Sequence, residues 1–132
     1  MSLKLRLKPE EKVIIGGAVI HNGPKASEFL VENNVPVLRQ KDIMTEREAD
    51  TPSRRIYFVV QLMYIDAEKL VEYHAKYWEM VGDVLEAAPS TGPFIEKISE
   101  RILAGEYYQA LKFTKKLIDY EKELIDHVKQ SI

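Results

Sequence analysis

The chain has 132 residues, 45% hydrophobic and 30% charged, with no cysteine and a net charge of −2. That length suits one domain or a small module with a helical extension, and the composition excludes a disordered chain. The missing cysteines exclude disulfides, thiolate metal sites and a Cys nucleophile and suit a reducing cytoplasm, while the near-neutral balance argues against a generic polyanion binder.

Residues 2–8, SLKLRLK, alternate strictly. Leu3, Leu5 and Leu7 face one way and Lys4, Arg6 and Lys8 the other, which is a half-buried strand with a basic outer face. Pro9-Glu10 turns the chain. Residues 12–15, KVII, and 18–21, AVIH, flank Gly16-Gly17, a two-residue hairpin signal, and Asn22-Gly23 offers a second. Residues 26–32, ASEFLVE, read as a fourth strand or, over 25–31, as a short helix. Residues 35–40, VPVLRQ, read as a fifth strand, with Pro36 favouring an edge. Together these predict a small antiparallel β-meander of four or five strands, a module over residues 1–45.

Residues 42–50 form a charged connector. The helix that follows, over 52–65, organises the rest. Thr51 or Ser53 can cap it, and Pro52 fits its first turn. From Ile56 to Ile65 only Gln61 is plainly polar, so the helix is expected to be buried on every side. Asp66 can cap the next helix, 67–87, in which Leu70, His74, Tyr77, Trp78, Val81 and Leu85 follow helical spacing. Pro89 to Pro93 breaks the chain, and a third helix over 93–104 is closed by Gly105. The last helix, 106–130, carries two columns at intervals of seven, Ala110–Leu117–Leu124 and Leu111–Ile118–Ile125. Those columns fit either a bundle face or a helix–helix homodimer contact. The predicted fold class is α+β: the β-meander followed by a bundle of about four α-helices, in a module over 46–132.

Lys4, Arg6 and Lys8 interrupt any signal-peptide core, and the longest apolar run is too short to span a bilayer. A soluble, intracellular protein with no membrane partner is expected. Charge is unevenly spread. Residues 1–41 carry seven Lys/Arg against four Glu, and residues 56–132 carry nine basic against thirteen acidic residues. Attraction for a phosphate backbone therefore lies in the first third.

Catalytic patterns are scarce. His21, His74 and His127 fall on separate elements without metal-ligand spacing, no phosphate-loop or nucleophile-elbow motif occurs, and no cofactor is implied. An enzyme is disfavoured. Two basic features stand out instead. The stripe Lys4-x-Arg6-x-Lys8 could track phosphates, or it could be a solvated face whose lysines oppose aggregation. Arg39 and Lys41 flank the fifth strand's end, and Arg54-Arg55 stand at a helix N-terminus, where cations oppose the macrodipole. Pairing with Glu46, Glu48 or Asp50 would account for Arg54 and Arg55, and so would an anionic partner.

The stretches LKLRLKPEEKVIIGGAVIHNG and VPVLRQKDIMTEREADTPSRRIYFVVQLMYID resemble the FlbT family of flagellar biosynthesis regulators. The resemblance implies a cytoplasmic post-transcriptional regulator that associates with the 5′ untranslated region of flagellin mRNA and lowers its translation or lifetime. It also implies partnership with the flagellar regulator FlaF. The regulatory sign differs among family members, and the family brings no catalytic residues. The five-strand layout is also similar, less closely, to the CsrA family of mRNA-binding regulators, in which the first strand of one chain and the last strand of another form the RNA-binding edge. That likeness maps onto Leu5, Arg6 and Lys8 and onto Val37, Leu38 and Arg39. The RNA-contacting set is thus Lys4, Leu5, Arg6, Lys8, Leu38, Arg39, Lys41, Arg54 and Arg55. On this view Arg6→Ala and Arg39→Ala weaken RNA binding and leave melting nearly unchanged. The alternative is a protein-interaction adaptor or chaperone for small flagellar proteins, with indirect effects on mRNA.

Overall fold

The computed structural model describes residues 2–130 and divides the chain into two compact units, Met1–Ile43 and Met44–Ile132. The first unit holds five short strands: β1 (Leu3–Leu7), β2 (Lys12–Ile15), β3 (Ala18–His21), β4 (Ser27–Val31) and β5 (Val37–Arg39). The second holds four helices: α1 (Pro52–Ile65), α2 (Leu70–Ala87), α3 (Gly92–Leu103) and α4 (Tyr107–Gln130). The class is α+β, as the patterning predicts.

Strand connectivity differs from a meander. β1 pairs antiparallel with β4, while β2 sits between β3 and β5 in a separate three-stranded sheet. Only β2 and β3 are both sequence neighbours and ladder partners. Their Gly16-Gly17 turn has both φ angles positive, at 55° and 86°, which is the type I′ geometry that glycines permit. Asn22-Gly23 is not a hairpin turn. The Asn22 side-chain amide donates to the carbonyls of Lys8 at 2.7 Å and Lys25 at 3.0 Å, and its oxygen accepts from Ser27 Oγ at 2.7 Å. A side chain able to satisfy three groups ties the β1 exit to the β4 entry, and that linkage overrides the local turn preference. Leu5, Leu7, Val13, Ile14 and Leu38 are buried, whereas Leu3 at the start of the alternating run stays 47% exposed.

In the helical unit α1 packs against α2 and α4, and α3 packs against α4. Thr51 Oγ1 accepts the Arg54 N–H at 3.2 Å and caps α1, with Pro52 in the first turn. No residue from Ile56 to Ile65 is exposed. The one plainly polar member, Gln61, is satisfied by backbone: its amide donates to the Met44 carbonyl at 2.9 Å and its oxygen accepts the Met44 N–H at 2.7 Å. Asp66 does not cap the following helix with its side chain. Its carboxylate accepts the Tyr73 hydroxyl at 2.6 Å, a stronger charge-assisted bond than an amide would provide. α3 ends in a Schellman motif at Gly105, where the Gly105 N–H donates to Ile102 O and the Glu106 N–H to Arg101 O. On α4 the heptad columns are bundle face in the first half, where Ala110, Leu111 and Leu117 are buried, while Ile125 further on is 41% exposed.

Candidate nucleic-acid interface

Strand alternation puts Lys4 and Arg6 on the outer face of the β1–β4 ladder. The register sets Arg6 opposite Glu28 and Lys4 opposite the exposed Leu30. Glu28 then serves both cations, accepting Arg6 Nε at 2.8 Å and lying 3.1 Å from Lys4 Nζ. Lys8 sits in the turn after β1, where the Lys8–Glu11 hydrogen bond spans Pro9-Glu10 and Glu10 takes a left-handed φ of 62°. On this ladder two cations share one cross-strand carboxylate, and Lys8 lies beyond its end.

Arg39 behaves differently. Its guanidinium donates to the Glu11 carboxylate at 3.2–3.3 Å and to the Arg6 carbonyl. It therefore ties β5 of one sheet to β1 of the other, with 35% of its side chain exposed. The Glu11 carboxyl is held below the usual carboxylate range, first by the Lys8 N–H that it accepts at 2.9 Å and then by Arg39. Around this pair lies an open depression lined by Lys8, Glu11, Arg39, Gln40 and Lys41. Lys8 and Lys41 form no salt bridge among the described residues.

The remaining members of the predicted set fall elsewhere. Leu5 and Leu38 are 4% and 0% exposed, so their side chains are core and only their backbone could meet a ligand. Arg54 and Arg55 belong to the helical unit. Arg54 pairs with Asp50 at 2.7 Å, one of the acidic neighbours foreseen for it, and this bond lowers the Asp50 pKa. Arg55 is exposed. The structure thus brings Lys8, Arg39 and Lys41 together and sets Lys4 and Arg6 on one ladder, while Arg54 and Arg55 belong to the other unit. Glu11, Glu28 and Gln40 are the neighbours that residue patterning missed. Glu28 could have been found only by knowing that β1 pairs with β4.

Among the described residues no three His, Asp or Glu side chains cluster as a metal site would require, and no helix is long and apolar enough to cross a membrane. His74 Nε2 lies 3.0 Å from the Tyr107 hydroxyl on a helix face, and His21 lies 3.1 Å from Glu10 at the surface. The helical unit also holds an apolar groove of about 420 Å³ between α1, α2 and α4, lined by Pro52, Ser53, Met80, Val84 and Leu124 among others.

These features define an α+β protein that offers a basic β unit and an apolar-grooved helical unit. The family model described as "Flagellar protein FlbT" matches residues 3–125. A "Probable flagellum biosynthesis repressor protein FlbT 1" of Bradyrhizobium diazoefficiens is 44% identical, covering 94% of this chain and 85% of that protein. The "Flagellum biosynthesis repressor protein FlbT" of Caulobacter vibrioides is 42% identical over the whole chain and 95% of its own length. A relative in Rhodopseudomonas palustris, the "Probable flagellum biosynthesis repressor protein FlbT", is 40% identical, covering 95% of this chain and 98% of its own. The chain belongs to the FlbT family. No solved structure matches it.

Proposed function

We propose that this chain is a repressor of flagellum biosynthesis that works in the cytoplasm at the level of messenger RNA, by associating with the 5′ untranslated region of flagellin mRNA. Family membership and the names of its relatives support the flagellar repressor role. It acts by binding rather than by catalysis, with a FlaF-type regulator as a protein partner. One observation carries the RNA step: the depression beside β1 and β5 holds Lys8 and Lys41, which form no salt bridge among the described residues, next to Gln40. Such lysines can release counterions on meeting phosphates, and the Gln40 side chain, whose oxygen accepts the Lys12 N–H at 2.6 Å, keeps its amide N–H groups to donate to an unstacked base. Lys4 and Arg6, sharing Glu28, extend the same sign along β1.

The test is fluorescence anisotropy of the full chain with the flagellin leader RNA over a salt series. Lys8→Gln with Lys41→Gln removes two phosphate contacts and should flatten the log affinity against log salt slope by about 1.4, at roughly 0.7 per contact on a single strand. An unchanged slope would exclude this surface. A competing reading, an adaptor for other flagellar proteins, is favoured by the apolar faces that the helical unit leaves open.

A further inference from the structure

α2 has two apolar faces, and the bundle uses one. Tyr73, Tyr77, Val81 and Val84 are buried, and Tyr77 hydrogen-bonds Ser99 of α3 at 2.7 Å. On the other side Val71, Ala75, Trp78, Gly82 and Leu85 recur at alternating steps of four and three, the spacing of a coiled-coil seam. Val71 is 85% exposed and Trp78 43% exposed; Ala75 and Gly82 are also exposed, and Leu85 is half-buried. A side-chain carbon added at Gly82 would meet nothing within 4 Å. The two small residues alternate with three large ones, leaving shallow holes between knobs along four turns. Among the described residues nothing covers the hole at Gly82, while the Leu85 end of the seam reaches toward Gly92 at the start of α3.

The charges beside the seam say what can. Glu72, Glu79 and Glu86, at intervals of seven, form an exposed ridge along one edge, and Asp83 stands next to it. Lys76 is the one lysine of α2, which has no arginine. In coiled-coil terms the ridge occupies the flanking position that selects a partner by charge. A second copy docked antiparallel by a two-fold axis would bring Glu72 against Glu86 and Glu79 against its own counterpart. Like charges in those places oppose self-association. An anionic membrane or a nucleic acid would meet the same repulsion.

We propose that this outer face of α2 is a docking surface for an amphipathic helix of another protein, apolar along one heptad stripe and rich in Lys or Arg beside it. The proposal does not rest on the RNA reading, and its test involves no RNA.

Trp78 is the only tryptophan in the chain, so its emission reports the seam directly. The probes are a synthetic helical peptide with a leucine–alanine heptad stripe flanked by lysines, and its twin with glutamates in place of the lysines. At low salt the lysine peptide should give a saturable blue shift of Trp78 emission and bind about tenfold more tightly than its twin, three exposed ion pairs each adding a modest increment. The triple variant Glu72→Lys, Glu79→Lys, Glu86→Lys should reverse that ranking. These are surface positions where lysine is a good helix former, and the variant's helicity by circular dichroism verifies its fold. Ala75→Asp should abolish the shift with either peptide. The proposal is overturned by the absence of a saturable shift, by equal affinity for the two peptides, or by an unaltered ranking in the triple variant. A dimer by light scattering with Trp78 shielded from acrylamide would assign the seam to a second copy and overturn it equally.

Discussion

Replacing Arg39 by alanine should loosen the β unit, and the size of the effect follows from what the guanidinium touches. Arg39 holds two acceptors that belong to different parts of the strand layout, the Glu11 carboxylate at 3.2–3.3 Å and the Arg6 carbonyl. Hydrogen bonds to charged groups contribute about 1.5–3 kcal/mol, and a pair with one partner about a third exposed sits toward the lower part of that range. A loss of about 2 kcal/mol is expected, which is about thirtyfold in the opening equilibrium. Glu11 keeps the Lys8 N–H at 2.9 Å, which limits the damage. Arg39→Lys should recover less than half, because an ammonium cannot span both acceptors as a planar fork does. Neither tyrosine nor tryptophan occurs in residues 1–43, so optical melting is dominated by the helical unit. Amide hydrogen exchange is the suitable assay, read at Val13, Ile14 and Leu38, which are buried on paired strands. Arg6→Ala, which removes an exposed ion pair, should change protection by no more than a few-fold. Protection in Arg39→Ala within about twofold of the parent would refute the idea that this arginine ties the two sheets.

Two buried polar groups on α1 should respond in opposite ways. Gln61→Leu strands both the N–H and the carbonyl of Met44 and should cost roughly 3 kcal/mol in urea unfolding, at about 1–3 kcal/mol per unsatisfied group. Ser53→Ala should be neutral or stabilise by up to about 1 kcal/mol, because the buried Ser53 hydroxyl has no hydrogen-bond partner among the described residues. The Ser53 backbone N–H, which Glu121 accepts at 2.9 Å, is retained in that variant. Burial pushes the Tyr77 hydroxyl up to about 12 from 10, so the folded state holds its proton longer than the unfolded chain. That stability is complete below pH 10 and lost as pH rises toward 12, and Tyr77→Phe should flatten this alkaline limb of a melting-temperature profile. Glu11 works with the opposite sign. Its lowered carboxyl contributes stability above its ordinary value of 4.5 that disappears as pH falls, so Glu11→Gln should blunt the acid limb in exchange protection of Val13.

Local pattern carried much of this fold. Alternation in residues 2–8, the Gly16-Gly17 turn, the Thr51 cap and Gly105 each depend on a few adjacent residues, and each forms where the pattern places it. What local pattern could not reach was pairing at a distance. Asn22-Gly23 has the composition of a hairpin, but the Asn22 side chain is taken by groups on residues 8, 25 and 27, and β4 goes to β1. The same blindness affected the basic set. Lys4 and Arg6 read as free cations until Glu28 is known to lie across the ladder. Arg39 reads as a ligand contact until Glu11, 28 residues away, is brought under it. The expectation that Arg39→Ala leaves stability nearly unchanged does not fit this geometry, whereas for Arg6→Ala it does. On α2 the spacing grouped Trp78 and Leu85 with Tyr77 and Val81, since one helix turn carries residues of both faces. Only packing separates the buried set from the seam.

The two surfaces can be separated by charge, and that separation decides between mechanisms. Residues 44–130 carry more acidic than basic side chains and hold the Glu72–Glu79–Glu86 ridge, whereas Lys8 and Lys41 belong to the basic β unit. Substitutions that invert one leave the other's local contacts intact, because Lys8, Lys41 and the three glutamates form no salt bridges among the described residues. If the chain represses by gripping a leader RNA, Lys8→Gln with Lys41→Gln should release flagellin synthesis while the triple lysine variant of α2 still represses. If it represses as an adaptor, the ranking inverts: the α2 variant loses repression and the lysine substitutions do not. Loss in both variants, with each fold verified, would mean that RNA and a partner helix must be held by the same molecule. Opposite charges on the two units are suited to that arrangement, since neither ligand then competes electrostatically for the other's surface.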